Sequence, residues 1–402
     1  MLAIYSKQSS SRLQYICEVI FKNILGIDFF ITSDQQKFDS FEDLKIKYEK
    51  KSELLFETFL ASQNESVLLQ DKLATAFYIV TNYEEYLPDT QRDLHGRLLS
   101  QYSLVVKNKW DRQPYVHHLA LSFQEELSKQ NPCFIWPERK YKFIPTFDVD
   151  MAYSSKGKSL PIFLGAFAKS LLNGDGKKRK ELWQAKFKID FQDPFDVFDL
   201  QKEEVTKYGL KPLYFWLTSE YTRFDKNIKP SSVEFKKLII QQQKYADIGL
   251  HPSYYANGEQ TEREKSSLEK ITGQTITRSR QHFLRLSFPE TYQNLVKIGI
   301  KEDYTLGYYD RIGFRNGMAM PFPFFDVTNN CSTDLILHPF PFMDSALLEQ
   351  HLEKEEYLKQ VQEIAHEVRK VHGEMIAVWH NYLMPHGSSS LDLFTETLKL
   401  LV

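Results

Sequence analysis

Short apolar runs that end in polar or charged residues recur along the chain and alternate with longer segments whose apolar positions repeat every three to four residues. Leu2 to Tyr5 and Asp28 to Thr32 read as strands near the amino end, and Leu73 to Tyr86 has helix length and stops before Pro88. Beyond residue 140 the strand-like runs are Lys142 to Asp150, Lys211 to Thr218, Asp247 to Ser253, Thr277 to Leu286, Asp334 to Met343 and Met375 to Asn381. Between several of them lie helix-period segments rich in Lys, Glu and Gln, such as Ser232 to Tyr245 and Leu347 to Val371. Strands alternating with helices predict a parallel sheet, and this number of units predicts a barrel-like α/β fold whose chemistry gathers at the carboxyl ends of the strands.

The texture changes at Gln130 to Lys140, where two prolines sit among charges, and the chain divides there. The expected organisation is a smaller α/β domain over 1–138 and a barrel over 139–402. Composition narrows the function. Lys and Arg total 51 against 53 Asp and Glu, a net charge of −2, so no basic excess is available for a run of phosphates and nucleic acid is a poor partner. With 30 Phe and 22 Tyr, the 14% aromatic content would suit planar or sugar-ring ligands. Cys17, Cys133 and Cys331 are widely spaced and form no paired motif, which fits a reducing compartment. No signal-peptide pattern opens the sequence, and the longest apolar stretch, Leu160 to Leu172, is interrupted by Lys169 and too short to span a bilayer. These features read as a soluble, cytoplasmic protein.

The most informative segment is Tyr141 to Asp150, which ends TFDVD. Residues two apart on a strand share a face, so Asp148 and Asp150 project together at its carboxyl end. Adjacent carboxylates repel, and the pair invites a metal ion or a shared proton; the bland alternative is that both cap the following turn. His251 in IGLHPS, His282 in SRSRQHFLR and His380 in IAVWHN are each delivered by an apolar run. One such histidine is more often structural than a ligand, but three together with an Asp pair point to one shared site.

On these residues the sequence resembles the NodB-type polysaccharide deacetylases, metal-dependent hydrolases that remove N- or O-acetyl groups from glycans on an irregular (β/α) barrel. The resemblance covers about residues 140–400. It implies Asp148 as general base and Asp150 as metal ligand from TFDVD, His251 as metal ligand from IGLHPSYYA, Arg315 as the base-orienting arginine from GFRNG, and His380 as general acid from VWHN. Phe77 to Arg97, FYIVTNYEEYLPDTQRDLHGR, also looks like the uncharacterised region that precedes the deacetylase domain in a subgroup of bacterial chains.

Two departures from that pattern matter. The second motif ordinarily carries another histidine four residues after the first, where this chain has Tyr255, and Arg315 is followed by Asn316 and Gly317 instead of Pro-Tyr. Zinc catalysis needs three protein donors and an open position, so the set Asp150 and His251 lacks one. His282, one βα unit further on, is the better candidate than a phenol. The expected protein is therefore a metal-dependent carbohydrate deacetylase with zinc as first choice and a glycan or glycan precursor as substrate. Its rivals are a glycan-binding pseudoenzyme, which Tyr255 would favour, and a glycoside hydrolase using Asp148 or Asp150 with Asp310 or Asp344. Tyr254, Tyr255, Tyr308, Tyr309, Phe322 and Phe324 are candidate sugar-stacking walls, with barrel core the expected role for the two phenylalanines. The insertion from Met151 to about Gln192, with its apolar stretch and Lys177 to Lys180, is expected to pack across the barrel mouth with its basic end solvated rather than to lie on an anionic membrane surface.

Overall fold

The computed structural model describes residues 1–56, 65–158, 160–188 and 191–402. In chain order their strands are β1 (Leu2–Tyr5), β2 (Phe29–Thr32), β3 (Leu44–Lys47), β4 (Lys142–Val149), β5 (Leu213–Trp216), β6 (Asp247–Leu250), β7 (Arg278–Ser279), β8 (Glu302–Asp303), β9 (Phe322–Asp326), β10 (Cys331–Leu337), β11 (Phe342–Met343) and β12 (Glu374–His380). The fold is mixed α/β. It separates into two compact units that the chain enters more than once: one comprises Met1–Lys142, Arg285–Pro341 and Glu363–Met375, the other Phe143–Leu284, Phe342–Gln362 and Ile376–Val402. The first cut lies four residues past the expected boundary at 138, but the first unit also takes in two later segments.

Their return is explained by what they bury. In the first unit β2, β1 and β3 form a parallel sheet, while β10 pairs with β8 in parallel and with β9 antiparallel. Tyr15 and Phe77 from the amino-terminal helices pack on Phe325 of β9 with ring centroids 4.8 and 5.2 Å apart. Fully buried Arg12 donates through Nε to Asn330 Oδ1 at 2.8 Å and lies over the ring of Phe77. Phe322 and Phe324, expected in the barrel core, are core residues of this first unit instead, because β9 packs on the amino-terminal helices.

In the second unit six strands run in the order β11, β12, β4, β5, β6, β7, and the pairs β11–β12, β4–β5, β5–β6 and β6–β7 are parallel. Alternation on β4 divides its faces: Phe147 stacks between Tyr214 and Trp379, and Thr146 and Asp148 point the other way, with Asp150 next in their series. The register sets Asp148 beside Phe215 and Phe215 beside Gly249. A Cβ on Gly249 would stand 2.5 Å from the Phe215 ring, so only glycine lets that ring lie across β6.

Three sequence expectations are shortened for local reasons. Leu73 to Tyr86 is a helix only over Lys72–Val80, because Asn82 takes a left-handed conformation (φ 51°) and a 3₁₀ turn over Tyr83–Tyr86 follows. Thr277 to Leu286 pairs as a strand only at Arg278–Ser279; Phe283 and Leu284 are left-handed (φ 60° and 53°) and turn the chain. Asp334 to Met343 is broken at His338–Pro339–Phe340–Pro341 into β10 and β11, since proline offers no ladder donor.

His117 in the first unit yields a test of the fold. Its Nε2 accepts a hydrogen bond from the Ala319 amide at 3.1 Å, a role that requires a neutral ring, and burial with His118 and Arg139 nearby pushes its pKa down to about 3. Below the unfolded value near 6.5 the unfolded chain gains a proton that the folded chain refuses, so this contribution is complete above pH 6.5 and falls as the pH drops toward 3. His117→Gln should flatten the pH dependence of the unfolding free energy, measured by urea titration, removing about 2 kcal/mol of its change between pH 6.5 and 5. An unchanged slope in the variant would assign the acid sensitivity elsewhere.

Candidate metal centre and its flanking dyads

Asp150 leaves the end of β4, His251 follows β6 directly, and His282 stands three residues beyond β7, so parallel strands of one sheet deliver all three at their carboxyl ends. Their donor atoms lie within 4.8 Å of one another. His251 Nε2 is 3.0 Å from Asp150 Oδ1, and His282 Nε2 is 3.6 Å from Asp150 Oδ2. The far nitrogens are tied down. His251 Nδ1 donates to the Arg280 carbonyl at 2.5 Å, and His282 Nδ1 meets Asp225 Oδ1 at 2.8 Å. Asp225 is itself fully buried and held by the Tyr254 amide and Thr222 Oγ1. This is the outer arrangement that orients imidazoles toward an ion.

The fit to a cation follows from proton bookkeeping. A carbonyl only accepts, so the His251 proton sits on Nδ1 and a neutral ring turns a bare lone pair toward Asp150 Oδ1, a buried oxygen with no hydrogen-bond partner. Two lone pairs at 3.0 Å repel unless a positive charge lies between them or the ring takes a second proton. Two imidazole nitrogens and a carboxylate oxygen suit a divalent ion such as zinc, with a coordination position left over. Burial alone would raise the Asp150 carboxyl, yet His282, His251 and His380 around it hold it well below the usual range. His282 is correspondingly pushed up to about 9: burial lowers it, but Asp150 and Asp225 outweigh that effect. A coordinating ion must displace this proton.

Two dyads flank the cluster. Asp148 Oδ1 accepts from Arg280 at 2.8 Å, and the same guanidinium nitrogen donates to Thr146 Oγ1 at 2.9 Å. Arg280 is fully buried and lies 4.4 Å above the Phe215 ring, the ring that Gly249 makes room for. On the other side, His380 at the end of β12 places Nδ1 2.7 Å from Asp344 Oδ1, and its backbone amide donates to Asp344 Oδ2 at 2.7 Å. His380 Nε2 is thereby aimed at Asp148 Oδ2 and Asp150 Oδ2, 3.9 and 4.0 Å away. Its pKa is raised to about 10; burial opposes the rise, while Asp344 first and then Asp150 and Asp148 produce it.

Thus Asp148, Asp150, His251, His282 and His380 come together as the sequence spacing anticipates. Arg315 has a different setting: it belongs to the first unit, where its buried guanidinium pairs with Glu85 and donates to the Gly307 carbonyl at 3.1 Å. The guanidinium on Asp148 is that of Arg280. Tyr255 is 58% exposed, whereas Tyr254 is buried against Phe224. Sequence reading missed Arg280, Asp225 and the orienting role of Asp344. Arg280 carried a signal, standing two residues before His282 and so on the same side of the run.

Solved structures with a related course of chain include a candidate polysaccharide deacetylase from Mycobacterium smegmatis (12% identity over 66% of this chain and 85% of that one, TM-score 0.41). The polysaccharide deacetylase Bc1974 from Bacillus cereus is also similar, at 12% identity over 66% and 87% with TM-score 0.31. A third is BA3943, a CE4 family pseudoenzyme from Bacillus anthracis, at 11% identity over 65% and 60% with TM-score 0.32. Two of these three are polysaccharide deacetylases, one of them a candidate, and the third is a pseudoenzyme. A family described as "Family of unknown function (DUF7033)" matches residues 2–63 and 53–132, the region expected to resemble an uncharacterised amino-terminal domain. No curated protein matches the sequence.

Zinc titration by calorimetry checks the ligand set. His282→Ala should weaken binding as severely as His251→Ala, Tyr255→Phe should leave it unchanged, and Asp225→Asn should cost about 10- to 100-fold by loosening the His282 ring. Loss of zinc in Tyr255→Phe with retention in His282→Ala would replace His282 as the third donor.

Proposed function

We propose that the second unit is a metal-dependent hydrolase that removes acetyl groups from a glycan or glycan precursor on an irregular (β/α) barrel. The observation that carries this reading is the convergence of one carboxylate among three imidazoles with a second carboxylate held by a buried arginine. Asp150, His251 and His282 would hold the ion, zinc being the first choice for this donor set. Such an ion, when bound, polarises an acyl oxygen and acidifies water.

The remaining roles belong to the chain. Asp148 takes the proton of the attacking water on Oδ2, the oxygen that Arg280 leaves open, while the Arg280 hydrogen bond to Oδ1 fixes the carboxylate. His380 keeps its proton at neutral pH because Asp344 holds the imidazolium, and it delivers that proton from Nε2 to the departing amine or hydroxyl. Base and acid are thus separated by their environments: one carboxylate is paired with arginine and one histidine with a carboxylate.

Neither rival reading is favoured by the placement of the residues that suggested it. A non-catalytic glycan binder was suggested by Tyr255 in a ligand position, but that side chain faces solvent and His282 lies in the cluster. A glycoside hydrolase needs a second free carboxyl, and both Asp344 oxygens are engaged by His380, while Asp310 belongs to the first unit and accepts from Ser100.

Acetate release from acetylated chitooligosaccharides by the zinc-loaded protein is the direct test. Asp150→Ala should lose the metal, whereas Asp148→Asn should keep it and lose turnover by about 100- to 10,000-fold. Metal binding by the wild type without acetate release from any acetylated glycan would return the non-catalytic reading.

Leaving-group dependence tests the acid. His380→Ala should slow deacetylation of an N-acetyl glycan by about 100-fold or more yet spare an activated acetyl ester, whose leaving group departs without a proton. Equal losses on both substrates would give His380 a structural role.

A further inference from the structure

The insertion after β4 leaves most of its apolar surface uncovered. Its described part is a helical hairpin, Leu160–Leu172 followed by Gly176–Phe187, and the first helix does not bury its apolar side chains. Of its 13 residues only Lys169 and Ser170 carry polar side chains, and only Ser170 is buried. Leu160, Leu164 and Leu172 recur at intervals that place them on one stripe of the helix, and all are exposed, Leu172 to 87%. On the second helix Trp183 and Phe187, one turn apart with ring centroids at 5.3 Å, are 57% and 64% exposed. A helix that is apolar all round is ordinarily surrounded by core or by lipid.

The charge of the hairpin tells these apart. Residues 160–188 hold seven lysines and arginines against Asp175 and Glu181, a net of +5 on a chain whose total is −2. The second helix is fixed to the rest of its unit by its inner side: Leu182 is fully buried, and Glu181 accepts from Ser154 Oγ at 2.7 Å, Ser155 Oγ at 2.6 Å and Lys178 Nζ at 2.8 Å. The loop that supplies those serines is pinned in turn by Asp193, which accepts from the Ser154, Ser155 and Lys156 amides at 2.7 to 2.9 Å. The polar contacts therefore hold the hairpin in place and leave leucines, an indole and lysines outward.

We propose that this hairpin docks on the surface of an anionic lipid bilayer, its leucines and Trp183 entering the headgroup boundary and its lysines and arginines meeting lipid phosphates. Apolar side chains interleaved with basic ones complement such an interface, which is negative outside and apolar beneath. A second copy of the chain is a poorer occupant, because pairing would bring two clusters of +5 together and lysine is disfavoured at protein interfaces. The first helix lies on the bilayer rather than crossing it: 13 residues extend about 20 Å, short of the roughly 30 Å of hydrocarbon, and among the described residues no helix is long and apolar enough to span. The proposal stands independently of the hydrolase reading, since it rests on no residue of the metal cluster.

Co-sedimentation of the full chain with phosphatidylcholine vesicles, with and without phosphatidylglycerol, tests it. The wild type should bind only the phosphatidylglycerol vesicles with a blue shift of Trp183 emission that Trp183→Phe abolishes. Leu164→Glu with Leu172→Glu, and separately Lys177→Glu with Lys180→Glu, should each weaken binding by about tenfold or more. These positions face outward, and an unchanged far-ultraviolet spectrum and thermal midpoint would show that the variants fold. Failure of the wild type to sediment, equal binding with and without phosphatidylglycerol, or variants that bind like the wild type would overturn the proposal. A dimer in sedimentation velocity that Leu164→Glu with Leu172→Glu dissociates, without vesicle binding, would overturn it in favour of a second copy.

Discussion

A buried carboxylate cannot stay ionised without compensation, and the carboxyl ends of the second unit's strands are arranged around that requirement at Asp150. His251, His282 and His380 surround it, and each ring has its outer nitrogen committed to a carbonyl or carboxylate, so none can turn away. The charge alternates outward from this centre: Asp150, then imidazoles, then Asp225 and Asp344. Removing one member leaves its neighbour as an uncompensated buried charge, which is far costlier than never burying the set. Local stability at the strand ends therefore depends on the same residues that the proposed chemistry would use.

The backbone that makes this possible is simple. Parallel neighbours with register Asp148, Phe215, Gly249 put a carboxylate, a ring and a gap at one level across three strands. The ring crosses the gap, and Arg280 lies upon the ring with its charge turned to Asp148. A flat apolar support under a guanidinium fixes a side chain that otherwise has considerable rotamer freedom. Phe215 and Gly249 make no contact with Asp148's carboxylate themselves, yet they set the direction of the hydrogen bond that holds it.

Much of this was legible in the sequence because strand alternation is a strict rule. The pair Asp148 and Asp150, and histidines at the ends of apolar runs, follow from a period of two and a parallel sheet. The partners that orient them were not legible, because they depend on register between strands distant in sequence: Asp344 reaches His380 only because β11 pairs with β12, and Asp225 reaches His282 from a loop with no periodicity at all. The arginine shows the limit of motif reasoning, since GFRNG offered Arg315 by resemblance whereas β7 supplies Arg280 to Asp148 by position. The hairpin shows the limit of apolarity as a burial signal: LPIFLGAFAKSLL resembles a core helix in composition, and only the coordinates reveal that its leucines face outward.

The interleaving of the two units bears on how the chain is made. The first unit is completed by Arg285–Pro341 and Glu363–Met375, so on a ribosome its core stays open until residue 375 has emerged. The amino-terminal helices bearing Tyr15 and Phe77 must wait for Phe325, some 250 residues downstream of the nearer one, and meanwhile display a sticky aromatic surface. Synthesis order and folding order therefore part company in this protein.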